Sequence, residues 1–430
     1  MGGAAGVAGL LAGCSGLGGD YETVTPAAVP TTERTPDEQS GDPLRVAHWL
    51  SGDGESAGYD AMVDLFEQRR PDVRVESADA YGIGRVEQGL EGRADRGTPP
   101  GIWQTETGPA LLSLARASYL RDIGESVWDH IGSGYPEDVR RAVRTDGTHI
   151  SVPWAGRRVN TLLYNPSVLD RAGVDPDALD GPAALRTALE TVEAETDAVA
   201  LSWPGDVPWQ VGRLLEGVLL ARTGTERYRA ALESGFDAST VERAVGTVRD
   251  LTAFGRSDRD PGPTVESLLD GRVAMVAGGG RLVGGAASTS GLAARPDAAY
   301  GDDWAVTPFP GTAGTVQFGA TAFGAPVEAP TPERSEQWLR FVGSTPAQQR
   351  FSVAAGSFPL RTDADPSALP TPTADQYDAY RTAAARLPSI THRLVLEPDA
   401  YVRYLGALFR FDDEDRQDAV LETLTGVLSA

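Results

Sequence analysis

Leu44-Arg45-Val46-Ala47-His48-Trp49-Leu50 is a short apolar run of the kind that forms a buried strand. The segment after it decides the fold. Met62, Val63, Leu65 and Phe66 gather on one side of a helix-compatible segment that ends at Pro71. Val73 and Val75 then alternate with charged residues as a second strand. Strand, helix and strand in so short a span make a βαβ unit, which implies a parallel sheet. The pattern repeats: Val86 to Arg96 reads as helix, Gly101 to Glu106 as a strand after Pro99-Pro100, and Pro109 to Ala117 as helix again. The opening lobe is α/β.

Further along, Thr148 to Pro153 and Asn160 to Tyr164 read as strands joined by a turn. Pro182 to Thr196, Trp209 to Thr223 and Ser239 to Phe254 read as helices, and Arg272 to Ala277 as a strand running into Gly278-Gly279-Gly280. Asp415 to Leu428 is amphipathic, with Val420, Leu424, Val427 and Leu428 on one stripe. At 430 residues the chain exceeds one hydrophobic core, so two lobes are expected. No internal repeat and no metal-ligand spacing stands out, and no metal or cofactor is expected.

The charge balance narrows the partners. Net charge is -23, and every one of the 38 basic residues is arginine. A field of that sign disfavours nucleic acid and anionic lipid headgroups, which need clustered positive charge. Without lysine there is no P-loop. An acidic, lysine-free surface fits a halophilic protein in screening salt.

The single cysteine, Cys14, comes after a small apolar run, and Leu11-Ala12-Gly13-Cys14 resembles the lipobox of bacterial and haloarchaeal lipoproteins. That resemblance implies cleavage before Cys14 and a lipid on its thiol, the only membrane contact expected. A secretory signal begins with positive charge, and no arginine precedes Cys14, so the precursor is expected to start further upstream. Residues 1–14 are then a truncated signal, and residues 15–42, rich in Gly, Thr, Pro and acids, a flexible linker.

Several segments of the folded body, in chain order, resemble the family 1 extracellular solute-binding proteins of carbohydrate ABC transporters. His48-Trp49-Leu50-Ser51-Gly52-Asp53-Gly54-Glu55 is similar to the opening of the glucose-binding branch, and Gly97 to Gln104 to its Gly-x-Pro-Pro-Asp-x-x-Gln segment. Val152-Pro153 followed by Arg158, Asn160, Tyr164 and Asn165 matches Val-Pro…Arg-x-Asn…Tyr-Asn. Gly271 to Met275, Pro310-Gly311-Thr312 and Gly356 to Arg361 match three later motifs. The resemblance implies a periplasmic-binding-protein-like fold of class II, with two lobes, a hinge and a ligand cleft between them. One lobe is expected to hold residues 43–153 and about 308–345, the other 154–307 and about 346–430, with two or three crossings, the first near Val152–Arg157. The implied function is capture of a sugar or sugar-like solute and delivery to the permease subunits of an ABC importer, outside the cell, as a monomer.

A pyranose has apolar faces and a rim of hydroxyls, so it calls for aromatic plates and planar polar side chains. Candidates inside or beside the matched motifs are Trp49, Glu55, Gln104, Trp154, Arg157, Arg158, Asn160, Trp209 and Gln210. His392 resembles a late family histidine that faces the sugar. Each has an ordinary alternative: a core Trp, a helix-capping Glu, a solvated Arg pair, a surface His. The pocket also departs from the family pattern. Leu50 stands where a second tryptophan is expected, Gly279 and Gly280 replace an acid and a ring, and Thr321-Ala322 replaces an expected Asp. These departures imply a solute other than free glucose, contacted by Trp49, Gln104 and Arg158. A secreted carbohydrate-active hydrolase is the main alternative, since two carboxylates suffice for it. A surface lipoprotein with no transport role is the other. No histidine lies in an H-E-x-x-H context, and the Gly278 run lacks dinucleotide-loop spacing.

Overall fold

The computed structural model describes residues 42–78, 86–203, 208–257, 261–278, 283–284, 291–295 and 297–429. Cys14, most of the linker and Gly279-Gly280 lie outside them. Eleven strands are described: β1 (Leu44–Ala47), β2 (Val75–Ala78), β3 (Ile102–Thr105), β4 (Val152–Arg158), β5 (Thr161–Tyr164), β6 (Val199–Trp203), β7 (Gly255–Ser257), β8 (Val273–Ala277), β9 (Ala305–Pro308), β10 (Thr315–Gly324) and β11 (Ala385–Pro388). They form two sheets. The first runs β11-β10-β3-β1-β2 with β4 also on β10, and the second β7-β6-β8-β5-β9.

The opening βαβ unit is present. β1 pairs in parallel with β2, and the Asp53–Arg69 helix crosses between them, burying Met62 and Phe66. Gly58 on that helix meets the Pro-started Thr345–Ala355 helix so closely that a Cβ there would stand 2.8 Å from the Phe351 ring. Helices cover both faces of each sheet. Leu44, Val46 and Ile102 pack with Trp338, Phe351 and Tyr380 on one face of the first sheet, while Ala47 and Trp103 pack with Leu111 and Leu114 on the other. The second sheet likewise separates two cores, one around Leu215, Val245 and Tyr404, the other around Val265, Val276 and Trp304.

The chain passes between the sheets three times: at 159–160 from β4 to β5, at 309–314 from β9 to β10, and after β11 into the Pro398–Leu408 helix. Three expectations need correction here. The strands before and after Val159, expected to be joined by a turn, belong to different sheets, and the residues between them are the first crossing, just past the expected Val152–Arg157. Residues 154–158 stay in the first sheet, because β4 continues its ladder with β10 to Arg158. The segment 346–388, expected in the second lobe, packs into the first core through Ala347, Phe351, Phe358, Tyr377 and Tyr380, and β11 pairs with β10. Only the chain after β11 returns to the second lobe.

Candidate functional site

The crossings carry a dense polar network, and Asn160 is its centre. Its Nδ2 donates to Thr312 Oγ1 at 2.8 Å and to the Thr315 carbonyl at 2.9 Å. Its Oδ1 accepts from the Gln317 amide at 2.9 Å and from Arg158 Nε at 3.3 Å. The side chain is 1% exposed and all four of its hydrogen bonds are made: three reach the second crossing and the start of β10, and the fourth holds Arg158 beside the first crossing. Asn160 therefore acts as a hinge clamp in this conformation.

Strand geometry separates Arg157 from Arg158. Neighbours along a strand point to opposite faces. Arg157 lies opposite Gly319 and Arg158 opposite Phe318, a core residue. The two arginines are thus not one paired clamp. Arg157 donates to Glu55 at 2.6 Å, both side chains being mostly buried. Glu55 is in the first turn of the Asp53–Arg69 helix, so the pair joins the start of that helix to β4. Arg158 is 5% exposed and has no carboxylate partner among the described residues; desolvation alone lowers its pKa to about 10.

His392 stands on the Arg157 face. Gly319 permits this: a Cβ there would lie 2.8 Å from the imidazole. The His392 Nε2 is 3.1 Å from Arg213 Nη2, and Arg213 Nη1 donates to Gln210 Oε1 at 3.1 Å. Gln210 and Arg213 are one turn apart on the Pro208–Thr223 helix of the second lobe. Burial pushes the His392 pKa well below the usual value, and the charges of Arg213 and Arg157 push it further down. The imidazole is neutral between two guanidiniums from different lobes.

Trp49 and Gln104 form a second pair. The Trp49 amide donates to Gln104 Oε1 at 2.9 Å, and the buried Gln104 Nε2 has no partner among the described residues. Trp49 is partly exposed, with its apolar part against the core around Trp103. Trp209 is also partly exposed and lies near the Tyr401 hydroxyl, which donates to the Thr391 carbonyl at 3.0 Å. Trp154 takes the core alternative: it has no exposed surface, stacks on Phe323 at 5.1 Å and meets the edge of Phe351 at 4.3 Å. Leu50 is likewise buried in the first core.

Sequence reasoning missed Arg213, Glu216 and Gly319. Arg213 could have been found at three residues from Gln210 on one helix face. Gly319 and Glu216 carry no local signal, since their roles depend on a segment far away in sequence. A cavity of about 540 Å³, lined among others by Arg171, Asp197, Ser267 and Arg272, lies where β6 and β8 begin and touches none of these residues.

Residues 61–381 match the family model described as bacterial extracellular solute-binding protein. The chain belongs to that family. As a solute-binding protein it is similar to the xylose/arabinose-binding protein XacG of Haloferax volcanii, at 29% identity over 83% of this chain and 77% of the relative. Among solved structures it is similar to the bacterial solute receptor AcbH, with a TM-score of 0.71 and 15% identity over 90% of this chain and 97% of that one. The GacH receptor of Streptomyces glaucescens matches with a TM-score of 0.65 and 19% identity, over 90% and 99% of the two chains. These structures share the two-lobed α/β fold. The family is one of extracellular binding proteins rather than enzymes.

Proposed function

We propose that this solute-binding protein is the receptor component of an ABC importer and that it captures a sugar between its lobes for delivery to the membrane permease. The observation that carries the reading is the convergence at the crossings of Arg157, with Glu55, from the first lobe and Gln210 and Arg213 from the second, on either side of His392. Planar, multidentate groups brought from two lobes suit a ring of hydroxyls, and closing the lobes would complete the set. Trp49 supplies a partly exposed ring and Gln104 a buried amide donor awaiting a partner. Arg158 is proposed as a ligand contact on its unpaired, buried charge.

The sugar is proposed to be one other than free glucose, because Leu50 lies in the core and offers no second ring. D-Xylose and L-arabinose are the first probes, from the name of the Haloferax volcanii relative. The reading includes the absence of turnover, a lipid on Cys14 holding a monomer at the outer face of the membrane, and operation in high salt.

A thermal-shift screen in molar salt tests it. A ligand at a hundredfold excess over Kd stabilises by about 2.7 kcal/mol, a shift of several degrees. A pentose is expected to raise Tm and to be recovered chemically unchanged. No shift with any mono- or oligosaccharide refutes sugar capture, and a hydrolysis product refutes the receptor reading. Cys14→Ser, in a precursor carrying a complete signal, is expected to release the protein into the medium.

A further inference from the structure

Behind His392 runs a chain of hydrogen bonds whose directions are all fixed by chemistry. Arginine only donates. Arg213 Nη2 lies 3.1 Å from His392 Nε2, so that nitrogen accepts, and the neutral ring carries its proton on Nδ1. Nδ1 is 3.0 Å from Ser389 Oγ, which therefore accepts, as it also does from the His392 amide at 3.1 Å. The Ser389 hydroxyl must then donate onward, and Glu216 Oε1 is 2.8 Å away.

Glu216 has the surroundings of an acceptor. It is fully buried on the Pro208–Thr223 helix and accepts from the Thr391 amide at 2.8 Å and the Ile390 amide at 2.9 Å. Burial raises its pKa above the usual carboxylate value, and those donors, with the hydroxyls of Thr391 and Ser389, offset part of that rise. Both carboxyl oxygens accept backbone N–H groups, Oε1 from Thr391 and Oε2 from Ile390, so the Ser389 hydroxyl meets an acceptor at Oε1. Glu216 and Arg213 are both on the helix, three residues apart, whereas Ser389 and His392 belong to the third crossing. The chain thus leaves the helix at the carboxylate, passes through the crossing and returns to the helix at the guanidinium.

We propose that Glu216 and Ser389 are positioning residues that fix His392 as its Nδ1–H tautomer, and that this tautomer anchors Arg213 as a ligand-contacting donor at the lobe crossings. The opposite tautomer would turn Nε2–H against a group that can only donate, and Arg213 would have to move. An imidazolium would do the same and add repulsion from Arg157. Neither Glu216 nor Ser389 touches the solute. The proposal rests on the sugar-capture reading only for the contact made by Arg213; the tautomer is set in the ligand-free protein.

The test has two arms. In the first, nitrogen-15 NMR of the ligand-free protein at pH 7 reads the ring nitrogens, with the His392 signal assigned by its loss in His392→Gln. The expected pattern is a protonated Nδ1 and a bare Nε2. Ser389→Ala is expected to shift the ring toward Nε2–H, and Ser389→Thr, which keeps a hydroxyl, to restore Nδ1–H. A wild-type ring carrying its proton on Nε2, or on both nitrogens, overturns the proposal, as does an unchanged ring in folded Ser389→Ala.

In the second arm, calorimetry with D-xylose and L-arabinose is expected to show affinity about tenfold weaker in Ser389→Ala, mostly recovered in Ser389→Thr, and weaker still in Arg213→Gln. Unchanged affinity in Arg213→Gln overturns its role as a contact. If wild-type protein binds neither pentose, the pentose assignment fails while the tautomer stands or falls on the first arm.

Discussion

Asn160→Ala separates a hinge clamp from a ligand contact. The substitution removes two donated and two accepted hydrogen bonds at distances from 2.8 to 3.3 Å, and it leaves the Gln317 amide, the Thr315 carbonyl and Arg158 Nε without those partners. A buried group stripped of its partner costs about 1–3 kcal/mol. Local repacking and water entry recover part of that, so a net loss of about 3–5 kcal/mol is expected. Asn160→Asp keeps an acceptor for the Gln317 amide and Arg158, but it sets a carboxylate oxygen against the Thr315 carbonyl; its loss should be smaller. The assay is urea unfolding of ligand-free protein in molar salt, read as the midpoint shift at constant slope. A loss below about 1 kcal/mol refutes the clamp. An unchanged midpoint with abolished sugar binding would return Asn160 to the ligand shell, where the sequence motif had placed it.

Glu55→Ala should cost about 1–2 kcal/mol by leaving the Arg157 guanidinium uncompensated in a mostly buried position, and Arg157→Ala in the same background should cost little more; a double-mutant cycle measures this. Gly319→Ala is expected to displace the His392 ring and weaken sugar binding at least tenfold while the fold persists, seen as lost affinity with near-native circular dichroism. For pH, the folded His392 pKa lies below the unfolded value of 6.5, so the unfolded chain binds more protons between the two. The His392 contribution is therefore fully present above about pH 6.5 and is lost as pH falls toward the folded pKa. His392→Gln should flatten that part of the stability profile, and an identical slope in both proteins would contradict the burial argument.

The opening lobe was legible because its signals are local. The Leu44 strand, the Met62–Phe66 stripe and the Val75 strand encode a βαβ unit by periodicity alone, and β1 and β2 pair in parallel as that reading requires. Helix positions were legible too. The Pro208–Thr223 and Gln417–Leu428 helices lie within two residues of their expected ends. The candidates Glu55, Gln104, Arg157, Gln210 and His392 came from collinear motifs, and the structure groups them as Glu55 with Arg157, Trp49 with Gln104, and Gln210 with Arg213 and His392.

What the sequence determined by itself was the class of each segment and its burial, since a hydrophobic period reports which face leaves water. It did not say with which partner. Residues 346–388 have a helical period that would suit either lobe, and only the packing of Phe351, Phe358 and Tyr380 assigns them to the first. The roles of Asn160, Gly319 and Glu216 were equally hidden, because each is set by a residue more than 70 positions away: Asn160 by Thr312 to Gln317, Gly319 by His392, Glu216 by Ser389 to Thr391. Hydrogen-bond satisfaction and steric room are properties of pairs. Where the two members of a pair come from different crossings, only the tertiary structure brings them within reach.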